Sequence, residues 1–207
     1  MLNRRHLLTF TSGAALAGLT PWRGARAQGA ATHATAFVKQ AGARLLAVVN
    51  GPGSTAQKRQ AMAGIVDQIV DVEEIARFCL GRFWRQATAE QKKRYVALFH
   101  EVLVTSITSK LGEYQGVTFQ VGRAVPDDSN VKVATVVHRP QNPPTNVQWV
   151  IENPASDPKI IDVIAEGTSL RLTQRSDYES YLAHNGNSID ALISAMHRQI
   201  AQNQTAG

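Results

Sequence analysis

The chain has 207 residues, 43% of them hydrophobic, and carries 22 Lys and Arg against 16 Asp and Glu, a formal charge of +6. Four of those cations, Arg4, Arg5, Arg23 and Arg26, lie in an N-terminal segment that reads as an export signal; the remaining 18 against 16 leave about +2, too weak to select a nucleic-acid partner. Cys79 is the single cysteine, which excludes an internal disulfide, and the roughly 180 residues after the signal suffice for one domain with a sizeable packed core.

Residues 1–27 are set apart by their own grammar. Arg4, Arg5 and His6 form a positive start, residues 7–19 are modestly apolar, and Ala25-Arg26-Ala27 is a small-x-small cleavage site. An apolar stretch of 13 residues is a signal and not a span, because a bilayer core needs roughly 20. Asn3-Arg4-Arg5-His6-Leu7-Leu8 resembles a twin-arginine signal, and Arg23 and Arg26 beside the cleavage site suit that route. Residues 28–207 then form the single expected domain.

That domain opens with a helix over 33–49, whose apolar positions Phe37, Ala41, Leu45 and Val48 recur every three or four residues. Asn50-Gly51-Pro52-Gly53 breaks it, and Ser54 caps a second helix carrying Met62, Ile65, Val66 and Ile69. Residues 71–111 predict two further helices. Asp71 with Glu74, and Thr88 with Gln91, each have the spacing of a reciprocal capping box. Tyr95, Phe99, Val102, Leu103 and Leu111 fall on one face of the longer helix, with Gly112 as its expected stop. Lys92, Lys93 and Arg94 sit at the end disfavoured by the helix dipole and read as solvated. Leu80-Gly81-Arg82-Phe83-Trp84 places two aromatics at the turn, where they would wedge the helices together.

After Gly112 the period changes to two. Strands are predicted at 117–121, 131–137, 147–151, 159–165 and, more briefly, 169–173, joined by turns rich in Pro, Asn, Asp and Gly. Such short connections require antiparallel neighbours. Ser176 with Glu179 is a third box spacing, leading to Tyr178, Tyr181 and Leu182 before Asn185-Gly186. Ser188 caps a last helix with Ile189, Leu192, Ile193, Met196 and Ile200 as its stripe. The fold class is α+β: a curved antiparallel sheet of four to five strands, covered on one face by helices.

The search for reactive groups is mostly negative. Six histidines are scattered without metal-ligand spacing, and Gly51-Pro52-Gly53-Ser54 lacks the Lys of a phosphate loop. Ser169 has no nucleophile elbow around it and reads as a strand-entry residue. Asp162 is the one acid inside an apolar strand: on the outer face it would be solvated, whereas in a pocket it would be a general base. Arg171 and Arg175 could pair with Asp162 or Glu166.

The block Lys159-Ile160-Ile161-Asp162-Val163-Ile164-Ala165-Glu166-Gly167-Thr168-Ser169-Leu170, followed by Arg175-Ser176-Asp177-Tyr178, resembles the most distinctive segment of the MlaC family. Leu80-Gly81-x-x-Trp84-Arg85, Ala87-Thr88-x-x-Gln91 and Ile189-Asp190-Ala191-Leu192-Ile193 match as well, so the resemblance spans nearly the whole domain. One departure is Ser156-Asp157-Pro158-Lys159, where members often carry a Trp. The resemblance implies a periplasmic, monomeric phospholipid carrier with an internal apolar pocket and no metal, cofactor or nucleic acid. It would pass lipid between an outer-membrane lipoprotein complex and an inner-membrane ABC transporter complex containing an MCE-domain protein. The expected pocket walls are Phe83, Trp84, Phe99 and Leu103 from the helices, and Val147, Trp149, Ile151, Ile161, Val163 and Leu170 from the sheet. Alternation puts Val147, Trp149 and Ile151 on one face, and Ile161 with Val163 on one face of their strand. Three alternatives remain open at this point: a hopanoid cargo, a cone-shaped isomerase or dehydratase using Asp162 or His138, and a domain filled by its own side chains.

Overall fold

A computed structural model describes residues 22–109 and 111–205. The expected signal therefore lies mostly outside the described residues. Helix α1 (Trp22–Asn50) runs through the expected cleavage site, and α2 (Thr55–Ile69) follows the Gly-Pro break. Helix α3 (Val72–Leu80) passes through a 3-10 turn (Gly81–Arg85) into α4 (Ala89–Thr108), and a second 3-10 turn (Leu111–Tyr114) leads to the sheet. The strands are β1 (Thr118–Asp127), β2 (Asn130–His138), β3 (Thr145–Glu152), β4 (Lys159–Ala165) and β5 (Thr168–Ser169). They form an open meander in the order β1-β2-β3-β4-β5 with every pair antiparallel. Helices α5 (Leu170–His184) and α6 (Ile189–Thr205) close the chain.

Local chemistry accounts for most of these boundaries. Ser54 and Gln57 make the full reciprocal box on α2, as Thr88 and Gln91 do on α4. Asp71 caps α3 by accepting from the Glu74 amide at 2.8 Å, but Glu74 does not reach back. The Asp71 amide instead donates to the carbonyl of Ile160, and the Glu74 carboxylate lies 3.4 Å from Arg77. Helix α4 ends at Thr108, short of Leu111 and Gly112, and Ser109 takes the C-cap. Of the three basic residues at its start, Lys93 and Arg94 are exposed as expected, Arg94 in a solvated pair with Asp190, while Lys92 is half-buried over the Trp84 ring.

The largest correction falls at the end of the sheet. The predicted strand over 169–173 is only two residues long, and α5 begins at Leu170 with Ser169 accepting from the Leu172 amide. Ser176 and Glu179 therefore lie inside α5, where Glu179 bonds Arg175 at 3.0 Å and caps nothing. Glu166 (φ 47°) and Gly167 (φ 82°) form the tight β4–β5 turn, with both central residues left-handed as such hairpins require.

Two main cores result. Under α1 and α2, one sheet face contributes Val131, Val133, Ile151 and Ile160 to a cluster with Ala34, Val38, Ala41, Ile65 and Ile69. Gly42 lets α1 approach β1 closely, since a Cβ there would overlap the Phe119 ring. Helices α3 to α6 enclose the second core, centred on Tyr95, Phe99 and Tyr178, whose ring centroids lie 6.0 to 6.4 Å apart. All five expected apolar positions of α6 are buried there.

Gly81 makes the α3 junction possible. Its backbone (φ 56°, ψ −129°) is open to glycine alone, and a Cβ would lie 3.0 Å from Glu179 Oε1 and 3.2 Å from Arg175 Cζ. Gly81→Ala should destabilise the fold by about 1–3 kcal/mol. Chemical denaturation checks this, and an unchanged midpoint would contradict the strained junction.

Candidate functional site

The apolar sheet face is the first feature to place. Register sets Val147, Trp149 and Ile151 opposite Thr135, Val133 and Val131, and sets Val163 opposite Trp149 on the other side. These side chains consequently share one face, under α1 and α2. Its buried polar group is already satisfied: Thr135 Oγ1 accepts from Trp149 Nε1 at 3.0 Å and donates to the Val147 carbonyl at 3.2 Å. A surface of this kind can exclude water and hold apolar groups, but it offers no free nucleophile.

Ile161 behaves differently from its expected place. Val150 pairs with Asp162 and Ile151 with Ile160, so a bulge leaves Ile161 between them. Ile160 takes the position under α1 and α2 that alternation alone assigns to Ile161. Ile161 is nonetheless buried. Phe83 and Phe99 lie in the α3–α6 core with Trp84 packed against it, whereas Ile151, Trp149 and Val163 belong to the core beneath α1 and α2. Leu103 is half-buried and Val147 buried. Leu170 is 51% exposed and begins α5, so the structure does not put it on the sheet.

Asp162 is neither solvated nor poised to react. It is 6% exposed and lies across from Val150, on the face away from Trp149. Its carboxylate accepts from Ser169 Oγ at 2.6 Å and from the amides of Val163 and Arg171 at 2.8 and 3.2 Å. The Arg171 guanidinium lies 3.5 Å away and stacks over the Phe78 ring at 4.4 Å. Of the pairings open from sequence, Arg171 with Asp162 is realised, while Arg175 takes Glu179. Through Val150, Asp162 aligns with Lys132, six residues from His138 and so roughly 20 Å along the strand. The two candidates of an acid–base pair are therefore not brought together. His138 Nε2 is buried without a hydrogen-bond partner among the described residues.

Burial also governs the other ionisable groups nearby. It pushes the Cys79 thiol up to about 12, against the opposing charge of Arg171, and Cys79 Sγ donates weakly to the Arg171 carbonyl at 3.5 Å. It raises the phenols of Tyr95 and Tyr178 well above the usual range. Glu152 is raised by burial first, then by a hydrogen bond with Asp71 and the charges of Asp71 and Glu74. Among the described residues, no group of three or more His, Cys, Asp or Glu could hold a metal ion.

Two surface clefts lie among the helices. One, of about 400 Å³, lies between α2, α3 and α4 and includes Asp67, Asp71, His100 and Lys159. The other, of about 480 Å³, is framed by α3, the 3-10 turn and α5, and Trp84 is the one expected wall residue that lines it. Sequence reasoning read Trp84 as a wedge and missed this cleft; Phe83 is the aromatic that is fully buried. The Arg77, Arg82 and Arg85 run was the available signal.

These features define an open-sheet α+β protein with helices over an apolar sheet face and an internally satisfied carboxylate at its edge. Within that class, the family model for MlaC protein matches residues 39–198, and the chain belongs to that family. It is 26% identical over 149 residues to the toluene tolerance protein ttg2D of Pseudomonas putida, covering 70% of this chain and 69% of the relative. A solved phospholipid-binding protein from Ralstonia solanacearum, in complex with a phospholipid, superposes with a TM-score of 0.70 at 26% identity. That match covers 83% of this chain and 98% of the Ralstonia chain.

The Asp162 contacts predict a structural penalty when they are weakened. Asp162→Asn removes the charge opposite Arg171 and should cost about 1–3 kcal/mol in stability. Asp162→Ala should cost more, about 3–5 kcal/mol, because it strands a part-buried guanidinium. Equal denaturation midpoints for the wild type and both variants would contradict the role assigned here.

Proposed function

We propose that this protein is a periplasmic lipid carrier that holds a phospholipid and shuttles it between outer-membrane and inner-membrane ABC transporter complexes, maintaining outer-membrane asymmetry. The observation that carries the reading is the phospholipid-bound Ralstonia relative, whose fold this chain matches over 98% of that relative's length. Family membership supports the same reading, as does an apolar sheet face without an exposed reacting group. Buried acyl chains would gain about 0.8 kcal/mol per CH₂, so affinity comes from apolar area and release needs no bond-breaking. The proposed walls on the sheet are Val147, Trp149, Ile151 and Val163, with Trp149 and Val163 as the central pair; Phe83, Trp84 and Phe99 belong to the other core, Ile161 leaves this face at the bulge, and Leu170 leaves the sheet. No described helix is long and apolar enough to cross a membrane, which agrees with a carrier that meets membranes through partners or its surface.

The decisive experiment is purification from the periplasm followed by lipid extraction and mass spectrometry. Phospholipid should co-purify, and Trp149→Ser or Val163→Asp should lose it, because each sets a polar group against acyl chains at about 1–3 kcal/mol. Asp162→Asn should retain lipid and cellular function despite its lower stability. Lipid retained with function lost in a folded Asp162→Asn protein would favour an enzyme instead.

The same reading includes export with cleavage after Ala27. The mature N-terminus should lie at or near Gln28, and replacing Arg4 and Arg5 by Lys should reduce periplasmic yield. Unchanged yield would exclude the twin-arginine route while leaving export itself standing.

A further inference from the structure

The cleft framed by α3, the 3-10 turn and α5 is built from cations on an aromatic floor. Arg77, Arg82, Arg85 and Arg175 line it with Phe78, Gly81 and Trp84, against the single carboxylate of Glu74. Several of these groups are held in place. Arg175 lies 5.3 Å over Phe78, is bonded to Glu179 and lies against Gly81, where any Cβ would crowd it. Arg171 occupies the same ring at 4.4 Å, and Lys92 lies 5.4 Å over Trp84. Glu74 engages Arg77, whereas Arg82 and Arg85 have no carboxylate within ion-pair distance among the described residues. The cleft thus keeps an excess of positive charge that the protein does not neutralise.

A second observation indicates which anion it meets. Of the three large apolar side chains left exposed among the described residues, Leu170 (51%) and Leu172 (56%) lie in the first turn of α5, on either side of Arg171. Arg171 itself turns in to Asp162, but Leu172 lies three residues before Arg175 and so on the same side of α5 as this cleft residue. Exposed leucines beside basic side chains and a half-buried Trp are the pattern of a surface that rests in a bilayer interface. Guanidinium forks match phosphate oxygens bidentately, and indole is favoured at headgroup depth. An acidic polypeptide would satisfy the arginines but leave both leucines in water.

We infer that this face docks the protein on the phosphate headgroups of an anionic phospholipid bilayer. This contact is separate from the interior cargo and does not depend on it. The test is co-sedimentation of the exported, folded protein with vesicles of phosphatidylglycerol and phosphatidylcholine in equal parts, compared with phosphatidylcholine alone. Binding should require phosphatidylglycerol and fall with added salt. Each arginine near the surface contributes about fivefold, so Arg82→Gln with Arg85→Gln should weaken binding roughly 25-fold. Leu170→Ser with Leu172→Ser should weaken it too, while Arg123→Gln, on β1 at the opposite edge of the sheet, should not. Thermal unfolding checks that each variant folds, and lipid extraction checks its cargo. Equal binding to both vesicle types, or an unchanged arginine pair, would overturn the proposal. So would competition by polyglutamate with the leucine pair without effect, which would assign the cleft to an acidic polypeptide. Loss of co-purifying lipid together with vesicle binding would assign the arginines to the cargo site and also overturn docking.

Discussion

A carboxylate taken out of water costs several kcal/mol unless it is paired and its lone pairs are filled. Asp162 meets that condition with three hydrogen bonds and the Arg171 ion pair, and all but the Val163 amide bond come from the few residues where the sheet ends and α5 begins. The chain cannot leave β5 in another direction without stranding the charge. The constraint then propagates. Arg171 spreads over Phe78 and its carbonyl receives Cys79 Sγ, so the same pair that starts α5 also seats α3. Helix α3 in turn fixes Gly81 and the turn on which Phe83 points inward and Trp84 partly outward. One buried ion pair thereby joins the sheet, the helical core and the basic cleft.

What could be read from sequence was whatever short-range chemistry decides. The capping box at Thr88, the caps at Ser54 and Ser188, the stripe of α6 and four strands follow from hydroxyls, periodicity and turns acting over a few residues. The fifth strand failed for a specific reason. Ser169-Leu170-Arg171-Leu172 alternates with period two, yet Leu170 and Leu172 are exposed and Arg171 is drawn in by Asp162. Alternation there reflects an ion pair and a helix start, not a sheet. Ser176 and Glu179 have the spacing of a box, but the backbone at Ser176 is already helical, so there was no end to cap.

The candidate walls were legible only in part, because periodicity says which face of an element is buried and not what it is buried against. Val147, Trp149, Ile151 and Val163 share a face as alternation requires, up to the bulge that exchanges Ile160 for Ile161. Phe83 and Phe99 are buried too, but in the other core, a long-range outcome of how α3–α6 pack beside the sheet. The β4 bulge depends on Asp162 facing one way and Ile160 the other, and no local rule announces it.

The two surfaces argued for differ in the physics that would drive them. The inner sheet face is apolar and its polar atoms are satisfied, so its attraction for a ligand scales with area and is indifferent to salt. The cleft carries unpaired guanidinium groups at the surface, whose reach is about 8–10 Å at ordinary ionic strength. The α3–α6 core lies on the inner side of the cleft: Cys79 and Tyr178 face that core, while Arg77 and Arg175 line the cleft, and the apolar sheet face belongs to the other core. If the protein holds an apolar molecule and docks on a charged membrane as proposed, the two tasks would fall to separate surfaces. Holding can then be strong through area, while approach stays reversible because surface charges are screened. Had the arginines lined the apolar interior instead, every encounter would have carried the desolvation cost of unpaired charge, and holding and docking could not vary independently.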